Sequence, residues 1–66
     1  MQILLNGEQR EVESEITLAA LLQLLDLPGA GVALALNRQV VPRDQWPVLR
    51  LTEGDRVEIV RAVGGG

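Results

Sequence analysis

Residues 31–42, Gly-Val-Ala-Leu-Ala-Leu-Asn-Arg-Gln-Val-Val-Pro, decide how this 66-residue chain folds. Their first half is a nearly continuous apolar run, which is typical of a central strand that is covered on both faces. Large side chains alternate with two alanines, so we expect the large ones to face a helix. Residues 37–39 then turn the chain, and residues 40–41 form a short strand that Pro42 stops.

The first thirteen residues predict a β-hairpin. Residues 2–6 have a short strand pattern, and Asn6-Gly7 is the dipeptide that best tolerates the positive φ angles of a tight turn. Residues 8–13 return as a polar strand with Val12 pointing inward. Glutamates of this strand and of the following loop form an acidic edge that discourages sheet-to-sheet aggregation. They are Glu8, Glu11, Glu13 and Glu15.

One helix is predicted between this hairpin and residues 31–42. Thr17 stands where a helix N-cap belongs, and leucines at helical spacing follow it. These leucines are Leu18, Leu21, Leu22 and Leu25. We expect Pro28-Gly29 to end the helix, because proline cannot continue the hydrogen-bond ladder and glycine accepts a left-handed turn.

The remaining residues predict a loop and a final strand. Residues 43–47 are interpreted as a loop or a single helical turn, in which Trp46 covers one end of the core. Residues 56–63 form the last strand, with Val57 and Ile59 inward. The order of elements predicts an α+β roll, a mixed sheet of four to five strands packed on one main helix. The first and last strands lie side by side in the middle of that sheet.

Composition excludes several classes of function. The chain has no Cys, His or Lys, which removes disulfides, thiol nucleophiles, Cys/His zinc sites and Schiff-base chemistry. A net charge of −3 argues against nucleic-acid binding, and no apolar run approaches the roughly 20 residues of a membrane span. The start does not read as a signal peptide. We therefore expect a cytoplasmic protein that is not an enzyme, holds no metal or cofactor, and works with protein partners.

The chemistry is predicted at the three glycines that close the sequence, Gly64, Gly65 and Gly66. We expect residues 1–63 to fold and residues 64–66 to form a flexible tail, because a backbone without Cβ atoms can thread a narrow slit. The Gly66 carboxylate can attack the α-phosphate of ATP, and a sulfur donor could turn the acyl-adenylate into a thiocarboxylate. Terminal glycines are also typical of a linker or a frayed end. The tail alone leaves both interpretations open.

Several motifs together resemble the ThiS family, the sulfur carriers of thiamine biosynthesis in the ubiquitin-like β-grasp superfamily. The most specific motif is the Leu-Asn…Val-Val-Pro-Arg…Trp pattern within residues 33–46. The other motifs are residues 1–7, 17–25 and 54–59 and the glycine tail. The family typically ends in two glycines after a small or apolar residue, and here Gly64 takes that small-residue position.

The resemblance implies a carrier and not a catalyst. An adenylyltransferase of the ubiquitin-activating type would use ATP and Mg²⁺ to adenylate Gly66, with Gly64 and Gly65 as the threading arm. A cysteine desulfurase relay would supply sulfur, and thiazole synthase would receive it from the thiocarboxylate. Three alternatives stay open: a molybdopterin-pathway sulfur carrier, a ubiquitin-like modifier joined through Gly66 to target lysines, and a non-covalent interaction domain.

Two aliphatic residues are candidates for docking the activating enzyme. Leu4 and Val60 fall on the sheet face opposite the helix, where an apolar patch suits a partner. Single exposed aliphatic residues are also ordinary on protein surfaces, so both interpretations stand. Arg61 could pair with an acid on a partner, although a solvated arginine at a strand end is the more common arrangement.

Overall fold

The computed structural model describes residues 1–27 and 30–61, and these form five strands and one α-helix. The strands are β1 (Gln2–Leu5), β2 (Glu8–Glu11), β3 (Val32–Leu36), β4 (Gln39–Val41) and β5 (Arg56–Arg61). The helix α1 (Leu18–Leu24) lies between β2 and β3, and a 3₁₀ turn (Arg43–Gln45) follows β4.

The strands form one mixed sheet in the order β2-β1-β5-β3-β4. β1 and β5 are parallel, whereas the other neighbouring pairs are antiparallel. The predicted α+β roll, with the first and last strands side by side, is confirmed. β3 is an interior strand between β5 and β4, as expected, but the expectation that it is covered on both faces is wrong. β5 is central, and Ala33 of β3 is exposed while Val32 and Leu34 are buried, because α1 covers only one face.

Two tight turns with the same backbone geometry join the antiparallel pairs at either side of β5. The predicted Asn6-Gly7 turn is confirmed, with φ angles of 50° and 85°. Asn37 and Arg38 form the second turn, with φ angles of 50° and 72°. Both strands of the first hairpin are shorter than predicted, but Val12 is buried as expected.

Helix α1 begins as the sequence predicts. The Oγ1 atom of Thr17 accepts a hydrogen bond of 3.1 Å from the backbone N–H of Ala20, which satisfies one donor that the first turn leaves unpaired. The leucine stripe faces the sheet: Leu18, Leu21 and Leu22 are buried. Burial of this stripe, and not the propensity of seven residues, stabilises so short a helix.

The end of α1 differs from the prediction at Pro28-Gly29, which lie outside the described residues. Asp26 takes the left-handed conformation (φ 57°), and its N–H donates to the carbonyl of Gln23 at 3.0 Å. The N–H of Leu27 donates to the carbonyl of Leu22, also at 3.0 Å. This bonding pattern is a Schellman cap, in which Leu22 belongs to the core and Leu27 packs against the core. The helix therefore ends before the proline is reached.

Twelve buried side chains from both sheet and helix form the core. They are Ile3, Leu5, Val12, Leu18, Leu21, Leu22, Val32, Leu34, Val41, Trp46, Leu51 and Val57. Trp46 closes one end as predicted, and its indole N–H donates to the carbonyl of Val41 at 3.0 Å. The Arg43 guanidinium lies 4.8 Å from the centre of the indole ring, which fixes the 3₁₀ turn against the core.

Candidate functional site

The central strand β5 leads directly to the C-terminal glycines. Its last residue, Arg61, pairs with Val32 of β3, so β5 is held at the point where the described chain stops. Gly64, Gly65 and Gly66, with the predicted domain boundary after residue 63, lie outside the described residues. The sheet thus fixes the position of Arg61, five residues before the end of the sequence.

Asn6 fastens β5 to β1 beyond the end of the regular ladder. The backbone N–H of Asn6 donates to the carbonyl of Val57 at 2.9 Å. Its Oδ1 accepts from the N–H of Ile59 at 2.8 Å, and its Nδ2 donates to the Ile59 carbonyl at 3.5 Å. The Asn6 side-chain amide therefore supplies the hydrogen bonds that a further residue of β1 would have made to the Ile59 backbone, although β1 ends at Leu5.

Asn37 fastens the other side of β5 in a similar way. Its backbone N–H donates to the Arg56 carbonyl at 2.8 Å, and its Oδ1 accepts from the Arg56 N–H at 3.0 Å. Its Nδ2 donates to Oδ1 of Asp55 at 3.2 Å, and Oδ2 of Asp55 accepts from the Thr52 N–H at 2.8 Å. Two asparagines, one in each tight turn, thus hold the start and the middle of the strand that carries the tail.

The sheet has one open face, where the structure places both predicted docking residues. Val57 is buried and Ile59 partly buried toward α1, as predicted, so Arg56, Glu58 and Val60 point the other way. Leu4 lies on the same open face, because it pairs with Arg56. Val60 is 62% exposed, whereas Leu4 is partly buried.

Leu4 and Val60 are not neighbours on this face. Arg56, beside Leu4, is four residues from Val60, which corresponds to about 13 Å along an extended strand. Val60 instead pairs with Ala33, and Val40 pairs with Ala35 on the adjoining strands. We call these four residues, Val60, Ala33, Ala35 and Val40, the Val60 patch.

Val40 was missed as a surface candidate by the sequence reasoning. It is 77% exposed, the largest exposed fraction given for any large apolar residue in the described chain. Its position follows from the β3–β4 register, which the turn at residues 37–38 fixes. The signal that could have found it is strand alternation: if Val41 faces the core, its neighbour Val40 faces solvent.

A second feature of the open face is a shallow groove of about 440 Å³ beside Leu4, which we call the Leu4 groove. Its lining is Leu4, Asn6, Gly7, Arg38, Arg56 and Glu58. Sequence reasoning singled out Leu4 but neither arginine. The groove lies near the start of β5, at the opposite end of that strand from the tail.

Charged side chains otherwise lie on the rim of the fold. The predicted acidic edge is confirmed on β2, which is exposed throughout. There the Met1 ammonium donates to Oε2 of Glu11 at 3.0 Å, and this hydrogen bond, followed by the ammonium charge, lowers the pKa of Glu11. Arg61 is exposed and pairs with no carboxylate in residues 1–27 and 30–61.

The described part of the chain offers no enclosed reaction centre. None of its polar or charged side chains is buried. No cluster of three or more carboxylates in that part could hold a metal ion. Its single α-helix, at seven residues, is far too short to span a bilayer.

Comparison with known proteins identifies the family. The profile described as the ThiS family matches residues 3–66, so the match runs from the first strand through the last glycine. The chain belongs to the ThiS family. The resemblance drawn from the motifs is thereby confirmed.

Individual relatives agree with this assignment. The sulfur carrier protein ThiS of Escherichia coli (strain K12) is 39% identical over 66 residues, which are 100% of both chains. A protein called thiazole synthase in Paramagnetospirillum magneticum is 35% identical over the whole of this chain, which covers only 20% of that longer protein.

A solved structure confirms the fold. The crystal structure of a thiamine biosynthesis protein (ThiS) from Geobacter metallireducens superposes with a TM-score of 0.86. It is 29% identical in sequence, and the match covers 100% of both chains. The ubiquitin-like β-grasp roll implied by the sequence motifs is therefore the fold of this member of the ThiS family.

Proposed function

We propose that this chain is a sulfur carrier for thiazole formation in thiamine biosynthesis, with Gly66 as the residue that carries sulfur. The observation that supports this most strongly is the family match, which extends through the glycine tail to residue 66. The full-length identity of 39% to a sulfur carrier protein ThiS supports the same role. The chain is a co-substrate that is consumed and regenerated, and the partners supply the catalysis.

The proposed reaction begins at the Gly66 carboxylate, which is ionised at neutral pH because its ordinary pKa is roughly 3.5. One carboxylate oxygen attacks the α-phosphorus of ATP, and pyrophosphate leaves. A sulfur nucleophile then attacks the carbonyl carbon of the acyl-adenylate, and AMP leaves with that oxygen. When that nucleophile is the terminal sulfur of a persulfide, the product is an acyl disulfide; a second thiol of the donor then cleaves its S–S bond, is oxidised to a disulfide with the first, and leaves Gly66 as a thiocarboxylate. ATP and Mg²⁺ belong to the activating enzyme, and this chain needs to bind neither.

Three partners follow from this proposal. An adenylyltransferase of the ubiquitin-activating type activates Gly66, and a cysteine desulfurase relay delivers sulfur. Thiazole synthase receives the sulfur, which the relatives called thiazole synthase support, because a region matching this whole chain lies within their longer sequences. We place the cycle in the cytoplasm, where ATP and reduced sulfur carriers are available.

The open face supplies the proposed docking surface for the activating enzyme. Gly64 and Gly65 thread the tail toward the catalytic centre, while the Val60 patch and Leu4 contact the enzyme surface. An exposed valine beside two alanines is an apolar area that gains by being covered, and its rim is polar. The two asparagine contacts keep β5 in register, so docking on this face sets the distance to the tail.

Intact-mass spectrometry tests the proposed function. The chain is incubated with ATP, Mg²⁺, the activating enzyme and a sulfur source, and we expect a mass gain equal to exchanging one oxygen for one sulfur. A variant lacking both Gly65 and Gly66 is the matched control and should show no gain, because it no longer ends in two glycines. An isopeptide-linked product would instead identify a protein modifier, and an unchanged mass would identify a non-covalent interaction domain.

A further inference from the structure

Arg38 occupies a backbone position where glycine is favoured. The turn at Asn37-Arg38 has φ angles of 50° and 72°, and the turn at Asn6-Gly7 in the same chain has 50° and 85°. The second position is glycine in one turn and arginine in the other. A left-handed residue with a side chain is strained, and it persists where the surrounding structure holds it, as the pairing of β3 with β4 does here. Glu15 (φ 62°) and Asp26 (φ 57°) also take this conformation, but Arg38 is the one that lines a groove.

No ion pair within the described chain accounts for an arginine at this position. Neither the Arg38 nor the Arg56 guanidinium forms an ion pair within residues 1–27 and 30–61, where the ion pairs are Met1 with Glu11 and Arg50 with Glu15. Both arginines nevertheless line the Leu4 groove, opposite a single carboxylate, that of Glu58. With two arginines and one glutamate, the lining of the groove is positively charged. The chain as a whole is acidic, with a net charge of −3.

We propose that the Leu4 groove binds an acidic side chain of the enzyme that activates Gly66. Arg38 and Arg56 donate hydrogen bonds to its carboxylate, and Leu4 packs against its methylene groups. Two guanidinium groups suit a carboxylate because their planar donors match its two oxygens. This inference rests on the proposed function, and it adds the chemistry by which the partner is recognised.

The distance from the groove to Gly66 favours a folded enzyme over a peptide. Arg56 and Arg61 are five residues apart on β5, about 16 Å along the strand. The five residues after Arg61 extend by at most about 17 Å. A partner that contacts the groove while it reacts with Gly66 therefore spans up to about 33 Å, the scale of a protein domain.

We assign the groove to the activating enzyme and not to thiazole synthase, and the longer relatives motivate that choice. The relatives called thiazole synthase include the matching region as 20% of one longer chain, so there the region meets the synthase without diffusing to it. An activating enzyme on a separate chain has to be found by diffusion. Unpaired charges on the rim of an interface accelerate such encounters.

The test compares adenylation kinetics for four proteins with the activating enzyme from the same organism. The four proteins are the unaltered chain and the variants Arg38→Gly, Arg56→Gln and Arg10→Gln. Adenylation is measured as the rate of pyrophosphate release at several salt concentrations. Arg10→Gln is the matched control, because Arg10 pairs with Ile3 and so lies on the other face of the sheet. Arg38→Gly also removes the backbone strain, so it should fold and raise Tm by about 4 °C.

We expect Arg38→Gly and Arg56→Gln each to raise the KM for the carrier about fivefold at low salt, with kcat unchanged. The salt dependence of kcat/KM should be shallower in both variants and unaltered in Arg10→Gln. Unchanged KM values would overturn the inference, as would losses confined to thiazole formation. If the unaltered chain is not adenylated at all, the proposed function itself fails, and the two failures are thereby distinguished.

Discussion

Replacing Asn6 tests whether one side chain holds the tail-bearing strand in place. The change to glycine keeps the left-handed backbone (φ 50°) but removes the amide that bonds to Ile59. Loss of one hydrogen bond of this kind costs about 1 kcal/mol. The change to alanine removes the same amide and adds about 1 kcal/mol of left-handed strain, for a total of about 2 kcal/mol.

These losses are large for a domain of 66 residues, whose stability is on the order of 5 kcal/mol. Urea unfolding measures the loss in the free energy of unfolding, and hydrogen exchange detected by NMR shows which backbone amides lose protection. We expect the Ile59 amide to exchange faster in both variants, because the Asn6 Oδ1 atom at 2.8 Å is its acceptor.

The test depends on the alanine variant being less stable than the glycine variant. Equal losses for glycine and alanine would show that the turn is not strained. An Ile59 amide that exchanges at its original rate would show that the side chain does not bond to β5 in solution. The second result would remove the argument that Asn6 sets the register of β5, and the first would remove the argument that the turn is strained.

Three further predictions concern the helix start, the N-terminal ion pair and the docking face. Thr17→Ala should lower the free energy of unfolding by about 1 kcal/mol in urea, because a backbone N–H of the first turn loses its acceptor, whereas Thr17→Ser should stay near the original stability. The Met1 ammonium lowers the pKa of Glu11 from its ordinary value of 4.5, so the folded state binds this proton less readily than the unfolded state. Stability should therefore be lost as the pH falls through the lowered pKa, and Glu11→Gln in acid titrations of unfolding should lack that component; identical pH profiles would contradict it. Val60→Glu should fold but be adenylated poorly, whereas Val48→Glu, on a loop valine that is 67% exposed, should be adenylated normally, and equal rates for the two would remove the docking role.

The fold was predictable because local signals agree with one another. Asn6-Gly7 marks a hairpin, Thr17 precedes a leucine stripe, and the final strand alternates from Val57 inward. Each signal acts over a few residues, and the α+β roll is the arrangement that buries every apolar side at once. The structure confirms the five strands and the single helix among the described residues.

What the sequence did not predict depends on long-range pairing or on a particular backbone conformation. The end of α1 depends on Asp26 taking a left-handed φ, which aspartate does only in some contexts. β3 was expected to be covered on both faces because its residues are apolar, yet its small Ala33 faces solvent. Its neighbours, β5 and β4, follow from pairing over long and short range. An apolar run shows that a strand is interior, and only the pairing shows where it lies.

The candidate site likewise has one part that the sequence could predict and one that it could not. Gly66 was predicted from sequence because the chemistry proposed for it needs only a chain end and no neighbours. The Leu4 groove was not, since Arg38 and Arg56 meet there only after β5 inserts beside β1. This insertion gives the groove and the tail a common strand, which the two asparagine side chains hold in register. A partner that binds the groove thereby lies at a fixed distance, about 16 Å along one strand, from Arg61. We propose that recognition at the groove and reaction at Gly66 are in this way separate events on one molecule.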